Sequence, residues 1–405
     1  MKRHIALITL FVVCFAALTF MPVLAQKDDP KPTEDSGKFI RMGERAIPEH
    51  YIVVLDMDVD GGKGDIALAA TAADELTAAY GGVVTNIYAD ALNGFSAQMT
   101  EEAALNLSKD PRVRLVEEDS LMVANITQSN PPWGLDRIDE TDLPRSLTYT
   151  YTANGAGVNV YIIDTGIRRT HTQFGGRAFV GFDAIGDGRN SSDCNGHGTH
   201  VAGTVGGSTF GVAKGVRLFA VRVLSCSGSG SNSGVIAGVN WVTSNHIDPA
   251  VANMSLGGGA STALDTAVRN SIAAGVTYAV AAGNSNTNAS NSSPARVAEA
   301  ITVGSSTIND ARSSFSNFGS VVDIFAPGSS IPSAWFTSDT ATATLSGTSM
   351  ASPHVAGVAA RILQNNPGAS PATVRNEMVN QATLNRLTGI PSGTSNRLLF
   401  RSGTQ

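Results

Sequence analysis

Cysteine is scarce in this chain, with three residues in 405. So few, and without zinc-site spacing, they exclude a disulfide-dense scaffold and a cysteine-built metal centre. Charged residues make up only 15% against 42% hydrophobic ones, which excludes a generally disordered chain and leaves apolar side chains for a large core. Hydrophobic runs of membrane-spanning length are absent beyond the first 25 residues, so no later segment is expected to span a bilayer. A basic excess is absent as well. Net charge is −6: of 34 acids and 28 bases, 15 and 17 fall from Gln128 onward, leaving 19 and 11 before it. Without a basic stripe, nucleic acid is not an expected partner. No Gly-Lys-Ser/Thr follows the glycine-rich loops and no His-Glu-x-x-His occurs, which excludes a phosphate-binding loop and that type of zinc site.

What is present begins with Lys2 and Arg3 ahead of the apolar run Ile5 to Phe20, then Val23-Leu24-Ala25. This reads as an export signal, residues 1–25, cut after Ala25. The run is about 16 residues, short of the ~20 that span a membrane; an uncleaved anchor is the alternative, and no stable membrane association is expected. Cys14 leaves with the signal. The remaining pair, Cys194 and Cys226, makes a disulfide the default in an exported chain, with two buried thiols as the alternative.

Residues 26–49 are polar and rich in Lys, Asp and Pro, a flexible lead-in. Residues 50–119 alternate short apolar runs with Ala/Leu-rich stretches in the order βαββαβ, a small α+β ferredoxin-like domain. Thr100 caps its second helix. The domain carries no catalytic motif, so its role is binding or chaperoning. Residues 120–127 read as a linker. From 128 to 405 the pattern changes. The runs Val158–Ile163, Arg217–Val223, Val251–Ser255, Val276–Ala281, Ile301–Val303 and Val321–Phe325 are β-branched and nearly all apolar. Helical stretches lie between several of them. Apolar strands alternating with helices predict a mostly parallel sheet covered on both faces. No further C-terminal domain is expected.

Candidate chemistry sits at the ends of these elements. Asp164 follows the strand Val160-Tyr-Ile-Ile163, the edge where parallel sheets place functional groups; an Asp capping a turn is the plainer reading. His197 and His200 lie in Asn195-Gly-His-Gly-Thr-His200; two histidines at i, i+3 could share a helix face and bind a metal, the flanking glycines allow the close approach a general base needs, and alone the motif is as readily structural as catalytic. Asn284 ends Ala281-Ala-Gly-Asn284 and is either an amide donor or a turn residue. Ser349, in Gly347-Thr-Ser-Met-Ala-Ser-Pro-His354, stands at the start of an apolar helical run. The positive field of a helix N-terminus favours negative charge there, and Pro353 is expected to fall within a first turn that needs no donors. The loops Ser227–Ser231 and Ser255–Gly259 offer exposed backbone for pairing with an extended peptide.

The order Asp164, His197, Ser349 and the three surrounding motifs resemble those of subtilisin-like serine proteases. Pro132-Trp-Gly-Leu-Asp-Arg-Ile138 places the resemblance nearest the proteinase K-like branch, and residues 50–118 look like that family's inhibitory propeptide. The resemblance implies a three-layer α/β/α fold over about residues 130 to 400. It implies a secreted, broad-specificity serine endopeptidase, a monomer acting on polypeptides. It would be made as a zymogen and cut by itself between Ala124 and Gln128, with its propeptide as chaperone and inhibitor. Ser349 is then the nucleophile, His197 the general base and Asp164 its partner. Asn284 and the Ser349 N–H form the oxyanion hole. Gly228, Ser229, Gly230, Ser255, Leu256 and Gly257 bind the substrate backbone, while Gly257, Gly258, Ala282 and Gly283 wall the pocket. No cofactor is implied for the chemistry. Structural Ca²⁺ is implied at Ala298, Ala300 and Asp323, and at Asp136, Asp139 and Glu140, where Ser146 replaces a further acid. Asp183, Asp187 and Asp193 are a third candidate set. Cys194 and Cys226 align with a disulfide of the bacterial branch.

Overall fold

A computed structural model describes residues 37–42, 46–56, 65–120 and 126–403. The expected export signal lies outside the described residues, as do most of the lead-in and residues 121–125 of the expected processing segment. The chain divides into two units, Met1–Met122 and Val123–Gln405.

The first unit contains β1 (Phe39–Ile40), β2 (Ala46–Leu55), α1 (Ile66–Tyr80), β3 (Val83–Tyr88), β4 (Gly94–Gln98), α2 (Glu101–Leu107) and β5 (Val113–Ser120). Its sheet order is β1-β5-β2-β4-β3. Leaving aside the edge strand β1, that is the four-one-three-two order of a ferredoxin-like fold. The Asp65 carboxylate caps α1 by accepting the Ala67 and Leu68 N–H groups, and Thr100 caps α2 through the Ala103 N–H. Gly81, at φ 92°, ends α1 in a conformation that favours glycine. Phe39, Val53, Leu55, Leu76, Phe95, Leu107 and Val116 lie in the core of this unit.

The second unit opens with β6 (Ile126–Ser129), α3 (Trp133–Ile138), β7 (Thr148–Tyr151), β8 (Asn159–Asp164), β9 (Ala178–Asp183), α4 (His197–Gly206), β10 (Arg217–Arg222) and α5 (Asn232–Asn245). It continues through β11 (Ala250–Met254), β12 (Gly258–Gly259), α6 (Thr262–Ala273), β13 (Thr277–Ala281), β14 (Ser292–Ser293), β15 (Ile301–Ser306) and β16 (Ile324–Pro327). Last come β17 (Ile331–Ala334), β18 (Thr342–Leu345), α7 (Thr348–Asn365), α8 (Pro371–Gln381), β19 (Thr383–Leu384) and β20 (Arg397–Leu398). Nine strands form the central sheet, in the order β19-β20-β16-β15-β13-β11-β8-β10-β9. Every pair in it is parallel except β19 with β20.

Strand β8 shows why continuous apolar runs were needed. Val160 and Ile162 join the core that holds residues of α4 and α7, whereas Tyr161 and Ile163 join the one that holds residues of α5 and α6. Both faces are covered, so each fully buried Val or Ile adds about 1.5–3 kcal/mol over its exposed state. Three expectations shift. The strand expected at Val321–Phe325 runs from Ile324 to Pro327. Ile126 and Thr127, expected in the linker, instead continue with Gln128 and Ser129 into a strand that pairs with Thr148–Tyr151. Pro353 is the sixth residue of α7, beyond the first turn. The carbonyl that its missing N–H leaves free, Ser349 O, accepts the Ser255 hydroxyl at 2.7 Å.

Candidate active site

Four loops meet at the C-terminal edge of the parallel strands. Strand β8 ends on Asp164, which is fully buried. Helix α4 begins on His197, whose side chain keeps about a quarter of its surface exposed, at 25%. The His197 ring Nδ1 lies 2.8 and 2.9 Å from the two Asp164 carboxylate oxygens. With the proton on Nδ1 for that contact, Nε2 is left as the free base. Burial pulls the His197 pKa down, but the charge and hydrogen bond of Asp164, helped by the Asp193 charge, outweigh it, and the net direction is up.

His200 does not join this group. It is buried one turn on, its Nε2 lies 3.0 Å from Ile331 O, and burial pushes its pKa down to about 4. A shared metal on the two histidines is therefore not what the geometry offers.

Ser349 is the second residue of α7, after the extended Gly347 cap. Its hydroxyl donates to Ser255 O at 3.1 Å. Asn284 is held by its acceptor side: Oδ1 receives the Thr348 N–H and hydroxyl, both at 2.8 Å. Its amide nitrogen is thereby left to face the Gly347–Ser349 turn, where an added Gly347 Cβ would lie 3.5 Å from it. Gly283 N–H in turn donates to Thr348 Oγ1. Asn317 braces the same loop, donating to Ala282 O and accepting from Ser285 and Thr287. Thr348 and Asn317 escaped the sequence reading, because a threonine beside a serine and an asparagine in a polar loop carry no distinguishing spacing.

The structure brings Leu256, Gly257, Gly258, Ala282, Gly283, Asn284 and Ser349 together around a cleft of about 330 Å³ in which every lining residue is uncharged. A second cleft of about 390 Å³ adjoins it through Leu256, Gly257 and Gly258. That one takes in His197, Gly228, Ser229, Gly230 and Ser255, with Leu224, Val235 and Leu264 as its apolar lining. A disulfide joins Cys194 to Cys226.

Of the three cation sets, one fits. The carboxylates of Asp136, Asp139 and Glu140 lie within 4.8 Å of one another. Asp139 Oδ2 accepts the Thr150 N–H, while its buried Oδ1 has no partner. Burial and the neighbouring Glu140 and Asp136 charges push the Asp139 pKa up to about 7, against the pull of the Thr150 hydrogen bond. An unpartnered buried carboxylate oxygen between two further acids is the chemistry that a hard dication satisfies. Asp323 does not fit: its Oδ2 accepts the Thr302 N–H, and its Oδ1 takes the Arg375 guanidinium. A cation beside Ala298 and Ala300 would have to displace that guanidinium. The third set is divided, since Asp183 and Asp187 hold the fully buried Arg222, and Asp193 turns to other donors.

Comparison with known proteins places both units in known families. Residues 155–403 match a family described as "Subtilase family", and residues 50–124 one described as "Peptidase inhibitor I9". An extracellular serine proteinase of Thermus sp. (strain Rt41A) is 52% identical over 320 residues, covering 79% of this chain and 78% of the relative. Alkaline serine exoprotease A of Vibrio alginolyticus is 49% identical over 364 residues, covering 88% and 68%. A crystal structure of a cold adapted subtilisin-like serine proteinase shares 57% identity with a TM-score of 0.66, covering 67% of this chain and 98% of that one.

Proposed function

From the premise that this chain belongs to the subtilase family, and is a serine endopeptidase with an inhibitor domain ahead of it, we propose that it works through Asp164, His197 and Ser349. The observation carrying this reading is the His197 Nδ1 contact with both oxygens of a fully buried carboxylate. That partner fixes the tautomer in which Nε2 accepts a proton. An arriving peptide N–H competes for Ser255 O and frees the Ser349 hydroxyl. Its proton passes to His197 Nε2 while Oγ bonds to the scissile carbon. The Asn284 amide and the Ser349 N–H hold the oxyanion. His197 then protonates the leaving amine, and water reverses the sequence on the acyl-enzyme.

The uncharged lining of the first cleft supports broad side-chain tolerance with an apolar bias. A Ca²⁺ at Asp136, Asp139 and Glu140 would neutralise three crowded carboxylates and take no part in the chemistry. The Thermus relative, named as extracellular, supports secretion; among the described residues no helix is long and apolar enough to cross a membrane. We further propose that the enzyme separates its own inhibitor domain by cutting between Ala124 and Gln128.

Expression of Ser349→Ala tests the reading. The variant remains at full precursor length, and its peptide hydrolysis falls at least about 10⁴-fold. Normal mature protein from a pure Ser349→Ala preparation removes self-cleavage. Ester turnover without peptide cleavage by the wild type removes the peptide-specific mechanism.

A further inference from the structure

Helix α4 has to present His197 at its first position, yet its cap residue, Gly196, has no side chain and sits at φ 110°. The three leading amides find partners elsewhere. His197 N–H donates to Asn195 Oδ1 at 3.2 Å, Gly198 N–H to Thr165 Oγ1 at 2.9 Å and Thr199 N–H to Asp193 Oδ2 at 2.9 Å. Asp193 is the centre of this arrangement. Its Oδ1 also accepts Thr165 Oγ1, Asn195 N–H and Gly196 N–H, each at 2.9 Å. Its Oδ2 also accepts Thr199 Oγ1 at 2.6 Å. Five donors converge on one carboxylate, at the positive end of a helix where negative charge is favoured.

We propose that Asp193 is a positioning residue for catalysis: it clamps the first turn of α4 to the end of β8 and so fixes His197 against Asp164. This inference rests on the protease reading above. The bridge is Thr165, whose N–H donates to Asp164 Oδ1 at 2.7 Å and whose hydroxyl links Asp193 to Gly198. Strand end and helix start therefore share a single hydrogen-bonded chain. Their close approach is built into the glycines: a Cβ at Gly198 would lie 2.2 Å from Gly166 O, and one at Gly166 2.5 Å from Ser191 O. Cys194, the next residue, ties the same loop to Cys226.

The carboxylate has an electrostatic consequence too. The charged and titratable groups around His197 are Asp164 from β8, Asp193 from the loop, His200 on the same helix and, beyond it, His354 on α7. Arg168, on the loop after β8, directs its guanidinium away to Asp339 and Phe336 O. Burial of His197 opposes its protonated form, while Asp164 and Asp193 favour it. Removing the Asp193 charge therefore lowers the His197 pKa, and the acid limb of activity moves to lower pH.

The test is the pH dependence of kcat and KM on a chromogenic peptide for the wild type, Asp193→Asn and Thr165→Val, each normalised by titration with a serine-directed phosphonylating reagent. Asparagine cannot accept five donors, because its amide nitrogen faces N–H groups. The expected result for Asp193→Asn is a kcat at least about tenfold lower, a barrier higher by at least about 1.4 kcal/mol, with KM little changed and the acid limb at lower pH. Thr165→Val keeps the charge and breaks the bridge, so kcat falls while the limb stays. An acid limb unmoved in Asp193→Asn overturns the proposal. So does an undiminished kcat in Thr165→Val, which decides the matter if Asp193→Asn does not fold. A wild type that neither reacts with the reagent nor cleaves the peptide fails the protease reading instead, whatever the variants do.

Discussion

In the unit before Met122 the arginines that meet acids stay at the surface; in the unit after it several are carried into the core. Arg112 reaches Glu75 at 2.9 Å with the two side chains 45% and 62% exposed. Arg137, Arg222 and Arg361 in the second unit are fully buried. Each buried guanidinium has partners, among them Asp310 for Arg137, Asp183 and Asp187 for Arg222, and Tyr149 with Ser402 O for Arg361. Exposed pairs are worth about 0–1 kcal/mol, whereas stripping the partner from a buried charge costs about 3–5 kcal/mol. The same distinction separates the hydroxyl groups. In the first unit Thr85, Asn86 and Tyr88 gather on Ser96 with no base among them. In the second, Ser349 bonds Ser255 O, and Ser255 lines one cleft with His197, a base held by the buried Asp164. The difference suits the proposal that the first unit is cut away after folding while the second persists.

The contrast breaks first at Asp310. Arg137 Nε and Nη2 bond its two oxygens at 2.8 and 2.9 Å, wholly within the second unit. Asp310→Ala leaves that guanidinium buried without its acid, and urea unfolding of the inactivated mature domain is expected to show a loss of about 3–5 kcal/mol. A loss within the surface range would place this pair with those of the first unit. Next in size is Asn284→Ala. Thr348 holds the Asn284 Oδ1 atom, so the variant removes a preoriented donor, and kcat is expected to fall about 10²–10³-fold with KM nearly constant. A rise in KM at constant kcat would assign Asn284 to ground-state binding.

Much of this was legible in the chain itself, for identifiable reasons. The parallel strands announce themselves because burial on both faces demands unbroken β-branched runs, as in Val160-Tyr-Ile-Ile163. Edge strand β9 escaped notice because it leaves Phe179 and Val180 exposed, at 37% and 43%, and carries a glycine. The strand expected at Val321 begins at Ile324 because Asp323 sends its carboxylate to the Thr302 N–H of the neighbouring strand. Asp164, His197 and Ser349 stand out as motifs, since short runs around reacting groups tolerate few residue types. Asp193 does not: its donors are mainly backbone amides and threonine hydroxyls, which leave no pattern in a sequence. The acidic sets show the same limit from the other side, because nothing in the spacing of Asp183, Asp187 or Asp323 reveals that Arg222 and Arg375 would reach them.

A smaller effect distinguishes the one of the three acidic sets that keeps an unpartnered buried carboxylate oxygen. In Asp136, Asp139 and Glu140 the Arg145 guanidinium pairs with Asp136 at 3.4 Å, and Asp139 Oδ1 has no partner. Chelation is expected to lower the melting temperature of the inactivated mature domain by roughly 5 °C or more. Asp139→Asn should remove most of that sensitivity, and Asp323→Asn should leave it intact, since Arg375 already occupies that carboxylate. Equal loss of sensitivity in both variants would assign a cation to Asp323 as well.

The smallest effect belongs to the first unit and completes the contrast. Glu75 meets Arg112 at the surface, while Arg112 keeps a second partner in Asp110 through Nε and Nη2, both at 3.0 Å. That two-point pairing, with the Arg112 hydrogen bond as its main cause, holds the Asp110 carboxyl down to about 2. Glu75→Ala therefore removes a solvated contact and leaves no charge stranded. Unfolding of the first unit, followed in the Ser349→Ala precursor, is expected to change by less than about 1 kcal/mol, and the change should shrink further in 1 M salt, where charges are screened beyond about 3 Å. A loss comparable to that of Asp310→Ala would mean that this unit also depends on its ion pairs, and the distinction between a disposable and a durable half would have to rest on something other than charge burial.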